Sequence, residues 1–380
     1  MPCVEVSCKR SGWLGFNAVT ACIQYIETAL PGEPIQQSVV RDRMLALFAG
    51  DRLSQRRVRA VYARSGIDTR HSVLFQANTG PNDFLGLGAR DHPPSTAERN
   101  RVYVAAASEL AVRAARKAID DSHTAALGIT HIITVSCTGF FAPGLDHVLL
   151  DKIPLARDVR RYHIGFMGCF ASFQALQMAA AFCAQEADAL VLIVAVELCS
   201  LHAHLGNNSD DIVAASVFAD GAAAALIGNR QEVGKRGLEI HGFRSLVTRD
   251  SQKEMSWMPG DLGFDMVLSS YVPGLIECNL REAIEPLLED AGLEFAQIGS
   301  WAVHPGGRRI LDKVKQGLSL REMQLADSRA VLARAGNMSS ATILFVLKRL
   351  MQQQSRPDGR WIGALAFGPG LSIESALLSF

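Results

Sequence analysis

Twice between residues 131 and 196 the chain sets a short β-branched apolar run beside a Gly-containing turn and an Ala-rich helix, and few folds accept that alternation. The run His131-Ile132-Ile133-Thr134-Val135-Ser136-Cys137 stops at Thr138-Gly139. The turn Gly165-Phe166-Met167-Gly168 then leads into a helix over 169–185, and a second apolar run follows over 189–196. Strands that are apolar on nearly every residue belong to sheets covered on both faces. An Ala-rich amphipathic stretch over 102–122 supplies one covering helix. The second half has the same grammar: a helix over 280–290, a strand over 299–303 ending at His304, a helix over 310–317, another opened by Gly336-Asn337, and closing strands over 361–365 and 372–378. The pattern predicts an α/β fold. Phe218-x-x-Gly221 and Phe367-x-x-Gly370 each precede a terminal strand and point to an internal duplication. The polar stretch 229–236 is the expected seam, giving halves of 1–235 and 236–380.

Composition narrows the function. Hydrophobic residues make up 48% and charged residues 20%, enough apolar side chain for a sizeable core. The 38 basic and 38 acidic side chains cancel, which leaves no footprint for nucleic acid or an anionic membrane. Eight cysteines without a CxxC predict free thiols in a reducing compartment. The N-terminus has no basic start followed by an apolar run, and the apolar stretch 171–198 is broken by Gln185, Glu186 and Asp188. The expectation is a cytoplasmic protein without a membrane span.

Three segments place a reactive side chain at the edge of a regular element: Cys169 at a helix start, His304 at a strand end and Asn337 before a helix. A cysteine at a helix N-terminus meets unpaired N–H groups and the positive end of the dipole, which favour the thiolate. A nearby histidine strengthens that effect. Cys22, Cys183 and Cys278 read as small packing residues. His202 and His204 lack a third ligand at metal spacing, so no metal site is expected.

Taken together, Gly168-Cys169-Phe170-Ala171, Val303-His304-Pro305-Gly306-Gly307, Gly336-Asn337-Met338-Ser339-Ser340 and Phe367-Gly368-Pro369-Gly370-Leu371 resemble the type III polyketide synthases, the chalcone-synthase-like branch of the thiolase superfamily. The resemblance extends through Ser136-Cys137-Thr138-Gly139, Glu197-Leu198-Cys199-Ser200-Leu201 and Phe218-Ala219-Asp220-Gly221, in a bacterial style. It implies a duplicated, five-layered αβαβα thiolase-like fold, a homodimer, and a catalytic triad of Cys169, His304 and Asn337. Cys169 would take the starter acyl group, held as a thiolate by His304. His304 and Asn337 would bind the malonyl thioester oxygen as charge develops on decarboxylation.

By the same resemblance, Phe218 and Phe264 match gatekeepers between the CoA tunnel and the cavity. Arg57 and Arg64, with Gly306 and Gly307, fall where CoA is held, while Ala60 stands at a third basic position that Arg56 or Arg59 would cover. Cys137, Cys199, His202, Met255 and Ser339 are implied cavity residues. Gly368, Pro369 and Gly370 resemble the cyclisation loop, with Ala366 in place of a glycine found in many members. No cofactor is implied, because malonyl-CoA and acyl-CoA are substrates.

Three rival readings are a ketoacyl synthase III-like single condensation enzyme, a papain-like hydrolase with the same Cys, His, Asn order, and a non-catalytic acyl-CoA-binding scaffold. The preferred reading is iterative condensation of malonyl-CoA onto a long-chain fatty acyl starter, then closure to a pyrone or resorcinol-type ring. Small residues such as Ala142 favour that starter over an aromatic or malonyl one.

Overall fold

The computed structural model describes residues 21–74, 92–229, 237–353 and 359–380. Cys3, Cys8, the rest of the N-terminal segment and all but Asn229 of the expected seam at 229–236 lie outside the described residues. The strands are β1 (Ala21–Ala29), β2 (Ile35–Gln36), β3 (Thr69–Arg70), β4 (His131–Ser136), β5 (Arg160–Gly165), β6 (Leu190–Leu198), β7 (Asp220–Asn229), β8 (Leu238–Val247), β9 (Met255–Gly260), β10 (Gly263–Leu268), β11 (Ile298–Val303), β12 (Trp361–Gly368) and β13 (Ser372–Ser379). Nine of them share one sheet in the order β11-β12-β13-β8-β1-β7-β6-β4-β5.

That sheet is two half-sheets joined edge to edge. β5, β4 and β6 are parallel, and β7 and then β1 are added antiparallel. On the other side β11 and β12 are parallel, and β13 and β8 are antiparallel. The halves meet where β1 pairs with β8 through Cys22 with Glu239 and Ile23 with Leu238.

Side-chain alternation along the strands builds the layers. In the first half the row Ile132, Leu192 and Leu226 faces outward against the helix Thr96–Asp121. The next row, Ile133, Ile193 and Ala225, faces inward against the helices Ala171–Gln185 and Thr342–Gln352. In the second half Ala302, Ala364 and Ala376 face those same two helices. There Trp301, Leu365 and Leu377 face outward to the helix Val272–Asp290. Helix, half-sheet, paired central helices, half-sheet, helix is the αβαβα order. Alanines on both inner faces let the central helices approach closely, and their burial is nearly complete.

The outer helix Thr96–Asp121 starts six residues before the expected 102 because Ser95 and Glu98 form a capping box. It runs on five alanines, Ala107, Ala111, Ala114, Ala115 and Ala118, all fully buried. The parallel strands β4, β6, β11 and β12 deliver Cys137, Cys199, His304 and the loop of Pro369 at their carboxyl ends. That is where α/β sheets place their sites.

Candidate active site

A cavity of about 370 Å³ opens at those carboxyl ends, and Cys169, His304, Asn337 and Ser339 all line it. Cys169 sits two residues before the helix Ala171–Gln185, on a turn that Gly168 allows by adopting φ +83°. A Cβ at Gly168 would overlap the ring of Pro369, so the two loops touch through the missing side chain. The Gly168 N–H donates to Cys137 Sγ at 3.1 Å, and the Cys137 N–H donates to Glu197 Oε2 at 2.9 Å. Thr138 and Ser340 hydroxyls also donate to the Glu197 carboxylate. Cys137 therefore props the turn that carries Cys169 as well as lining the cavity.

His304 follows β11, its N–H fixed to the Leu365 carbonyl at 2.8 Å. Its side chain is buried, and neither Nδ1 nor Nε2 has a hydrogen-bond partner. Such a group costs free energy unless something arrives to pair with it. Asn337 is reached through the turn at Gly336, φ +73°, and a one-residue bridge to Phe218. Its Oδ1 accepts the Ser339 N–H at 2.9 Å. The amide NH2 is thereby the end left facing Gly306, at 3.4 Å from its carbonyl oxygen, and Cys169.

Burial and the helix end act on Cys169 in opposite directions. Burial pushes the Cys169 thiol up to about 12, countered only in part by hydrogen bonds with the Ser339 and Asn337 side chains. Burial draws the His304 imidazole down to about 3. Burial thus opposes both the thiolate that the helix end favours and a protonated imidazole. Burial also raises Glu197 to about 7.

Of the other expected residues, Cys137, Cys199, Met255, Phe218, Arg64, Gly306, Gly307 and Pro369 line this cavity. Phe264 does not. It is 1% exposed, stacked face to face on His202 with ring centroids 3.9 Å apart. Met266, two residues on and on the same face of β10, takes the cavity wall with Phe218. His202 also lies off this cavity: its Nε2 meets the Thr138 carbonyl at 2.7 Å, and its Nδ1 accepts the Phe264 N–H at 3.1 Å. Arg57, Arg56 and Arg59 project from the exposed face of the helix Arg52–Ala63, whereas Ala60 and Val61 face the cavity. Arg308 and Arg309, which no motif singles out, line it beside Gly307. Gly368 and Gly370 shape the Pro369 loop without lining the cavity, Gly368 because a Cβ there would come within 2.5 Å of Phe170. Ala142 is exposed and lines neither this cavity nor the one beside it within the chain. Among the described residues no three His, Cys, Asp or Glu side chains gather as a metal site, and no helix is long and apolar enough to cross a membrane.

The chain matches the family models for chalcone and stilbene synthases, the N-terminal domain over residues 14–231 and the C-terminal domain over 245–380. It is 31% identical to the alpha-pyrone synthesis polyketide synthase-like Pks18 of Mycobacterium tuberculosis, covering 94% of this chain and 90% of that protein. It is 34% identical to bisdemethoxycurcumin synthase of Oryza sativa subsp. japonica, covering 94% and 92%. Among solved structures, the C-terminal type III polyketide synthase domain of Steely1 from Dictyostelium superposes with a TM-score of 0.88 at 28% identity, over 95% of this chain and 99% of that one.

Proposed function

Because the chain belongs to the chalcone and stilbene synthase family, and so is a type III polyketide synthase that condenses malonyl-CoA by acyl transfer, we propose that Cys169, His304 and Asn337 carry its chemistry on an acyl-CoA starter. The observation that supports this most is the meeting of those three groups, from three separate elements, in one cavity, with both His304 ring nitrogens unspent.

The neutral imidazole is the form that can act as a base. His304 takes the Cys169 proton as the sulfur attacks the starter carbonyl; the bond to CoA sulfur breaks, and the imidazolium gives its proton to the departing thiolate. Malonyl-CoA then enters. The Asn337 NH2 and the His304 N–H donate to its thioester oxygen while the bond to the carboxylate breaks and CO2 leaves as an enolate forms. The enolate carbon attacks the Cys169 thioester and expels the sulfur. The lengthened chain returns from CoA to Cys169 for the next round, until ring closure at the Pro369 loop releases an alkylpyrone or resorcinol-type product. The relative named for alpha-pyrone synthesis supports the pyrone. A long-chain fatty acyl starter is the preferred one, on the bacterial style of the motifs and the apolar character of the cavity walls, which include Val213, Leu268 and Ile276. Phe218 and Met266 form the apolar gate past which the malonyl group is drawn.

Arg64, Arg308 and Arg309 at the mouth suit CoA phosphates, with Gly306 and Gly307 letting the pantetheine pass close to main chain. A homodimer is supported by β5. Among the described residues it is an unpaired sheet edge, and Phe140, Phe166 and Met167 stand exposed around it. The test is product mass spectrometry with malonyl-CoA and short, long and aromatic acyl-CoAs. Masses rising by ketide units on the long-chain starters support the reading; CoA release without extension overturns it.

A further inference from the structure

We propose that Thr96, Arg99 and His202 are positioning residues that fasten the hairpin β9–β10 over Cys169 and keep water from its acyl thioester, an inference that rests on the acyl-transfer reading above. The two strands form a sheet of their own, apart from the nine-stranded one. Their register places Met255, Trp257, Met266 and Leu268 on one face, and all four line the Cys169 cavity. Met258, Asp265 and Val267 on the other face are exposed. On that side the thickness of one hairpin separates the cavity from solvent.

A two-stranded hairpin is marginal by itself in water, so its place depends on what holds it. The base is tied to the Pro369 loop: the Ser251 hydroxyl donates to the Gly370 carbonyl at 3.0 Å, and the Leu371 N–H donates to Ser251 Oγ at 2.8 Å. The tip, 260–263, is held by the first turn of the helix Thr96–Asp121. There the Thr96 N–H, which has no partner within the helix, donates to the Asp261 carbonyl at 2.8 Å. The Gly263 N–H donates to Thr96 Oγ1 at 2.9 Å, and the Thr96 hydroxyl donates to the Gly260 carbonyl. Gly263, at φ +117°, rests on Arg99, where a Cβ would come within 3.2 Å of the side chain. Arg99 is buried; its Nε donates to the Pro94 carbonyl at 3.0 Å and its Nη1 to the carbonyls of Leu201 and Ala203. It thereby ties the seat of the tip to the turn that carries His202.

His202 holds the middle. Its Nδ1 accepts the Phe264 N–H and its Nε2 donates to the Thr138 carbonyl, while the ring stacks on Phe264. A main-chain N–H only donates and a carbonyl only accepts, so this bridge requires the neutral ring with its proton on Nε2. The Thr138 hydroxyl in turn donates to Glu197, the carboxylate that also receives the Cys137 N–H. One strap thus joins the hairpin to the network that props the Cys169 turn. What the fastening guards against is hydrolysis: water adds to the thioester carbonyl, the carbon–sulfur bond breaks, Cys169 regains its thiol and the chain leaves as a carboxylic acid. Holding the wall in place suppresses that loss and leaves the thioester to the enolate.

The test loads Cys169 from dodecanoyl-CoA, removes the free ester, and follows the acyl-enzyme by intact-protein mass spectrometry without malonyl-CoA. In Thr96→Val the ratio of the hydrolysis rate to the acylation rate rises at least about fivefold, and Thr96→Ser restores the wild-type ratio. His202→Phe keeps a stacked ring, removes both bridging hydrogen bonds, and raises the ratio independently. Amide exchange gives a readout that needs no acyl group. In Thr96→Val the amides of 256–268 exchange faster while those of β4 and β6 keep their rates, whereas a general loss of stability quickens all of them. A wild-type ratio in both variants, or exchange quickened equally in hairpin and central sheet, overturns the inference. If wild-type Cys169 takes no acyl group, the acyl-transfer reading falls and exchange alone decides the fastening: hairpin amides unchanged in Thr96→Val overturn it.

Discussion

The turn that carries Cys169 and the loop that carries His304 open on the same cavity and follow opposite rules. Around Cys169 the neighbours are tied down: Gly168 to Cys137, Cys137 to Glu197, Glu197 to Thr138 and Ser340. Around His304 only the main chain is anchored, and the ring nitrogens hold nothing. The difference teaches how the work is divided. In the proposed mechanism the atom that forms the covalent bond must be positioned before substrate arrives, whereas the proton carrier is useful only while its capacity is unspent.

The harshest way to break this contrast is to remove the bound side of it. Cys169→Ala should lower the condensation rate by more than ~1,000-fold, measured as ketide formation from malonyl-CoA. Changing the open side costs less. His304→Gln keeps a donor and loses the base, so kcat should fall on the order of 100- to 1,000-fold with little change in KM. Wild-type kcat/KM should show no loss from His304 protonation between pH 5 and 8, since its imidazole titrates near 3.

Two further changes sharpen the comparison through stability. Gly168→Ala forces a Cβ into Pro369 at a positive φ and should destabilise by about 2 kcal/mol, read by denaturant titration. The matching change beside His304, Gly306→Ala, meets nothing closer than 3.6 Å and should cost under about 1 kcal/mol. The last effect is a slope with pH. Glu197 titrates near 7 when folded, against 4.5 for an ordinary glutamate, so the folded state holds a proton that the unfolded chain has lost. Stability then falls as pH rises from about 4.5 through 7, by up to about 3 kcal/mol from this group. Glu197→Gln should flatten that fall.

Sequence reached the parts of the molecule that local chemistry dictates. β4, β6 and β12 are apolar along most of their length and flanked by turns, and Cys169, His304 and Asn337 each stand at an element's edge within two residues of a glycine. β1 was not legible, because it carries Gln24, Glu27 and Thr28, and Glu27 is tolerated only through Lys117 and Lys348, at 2.7 and 2.6 Å, from distant helices. Phe264 and Met266 illustrate another limit. Period two puts both on one face of β10, and only the place of His202 in space decides that the phenylalanine stacks and the methionine lines the wall. Arg308 and Arg309 were visible as cations, but nothing in the chain order says that they stand at the mouth beside Arg64. The α/β alternation and the edge positions of Cys169, His304 and Asn337 follow from local pattern, and the walls of the site follow from packing.

Intact-protein mass spectrometry after incubation with an acyl-CoA and no malonyl-CoA, followed by peptide mapping, tests the division of labour most directly. The account predicts one acyl group per chain, on Cys169 alone, with Cys137 and Cys199 unmodified and acylation slowed but not relocated in His304→Gln. Acyl groups on Cys137 or Cys199, or undiminished acylation in Cys169→Ala, would contradict it.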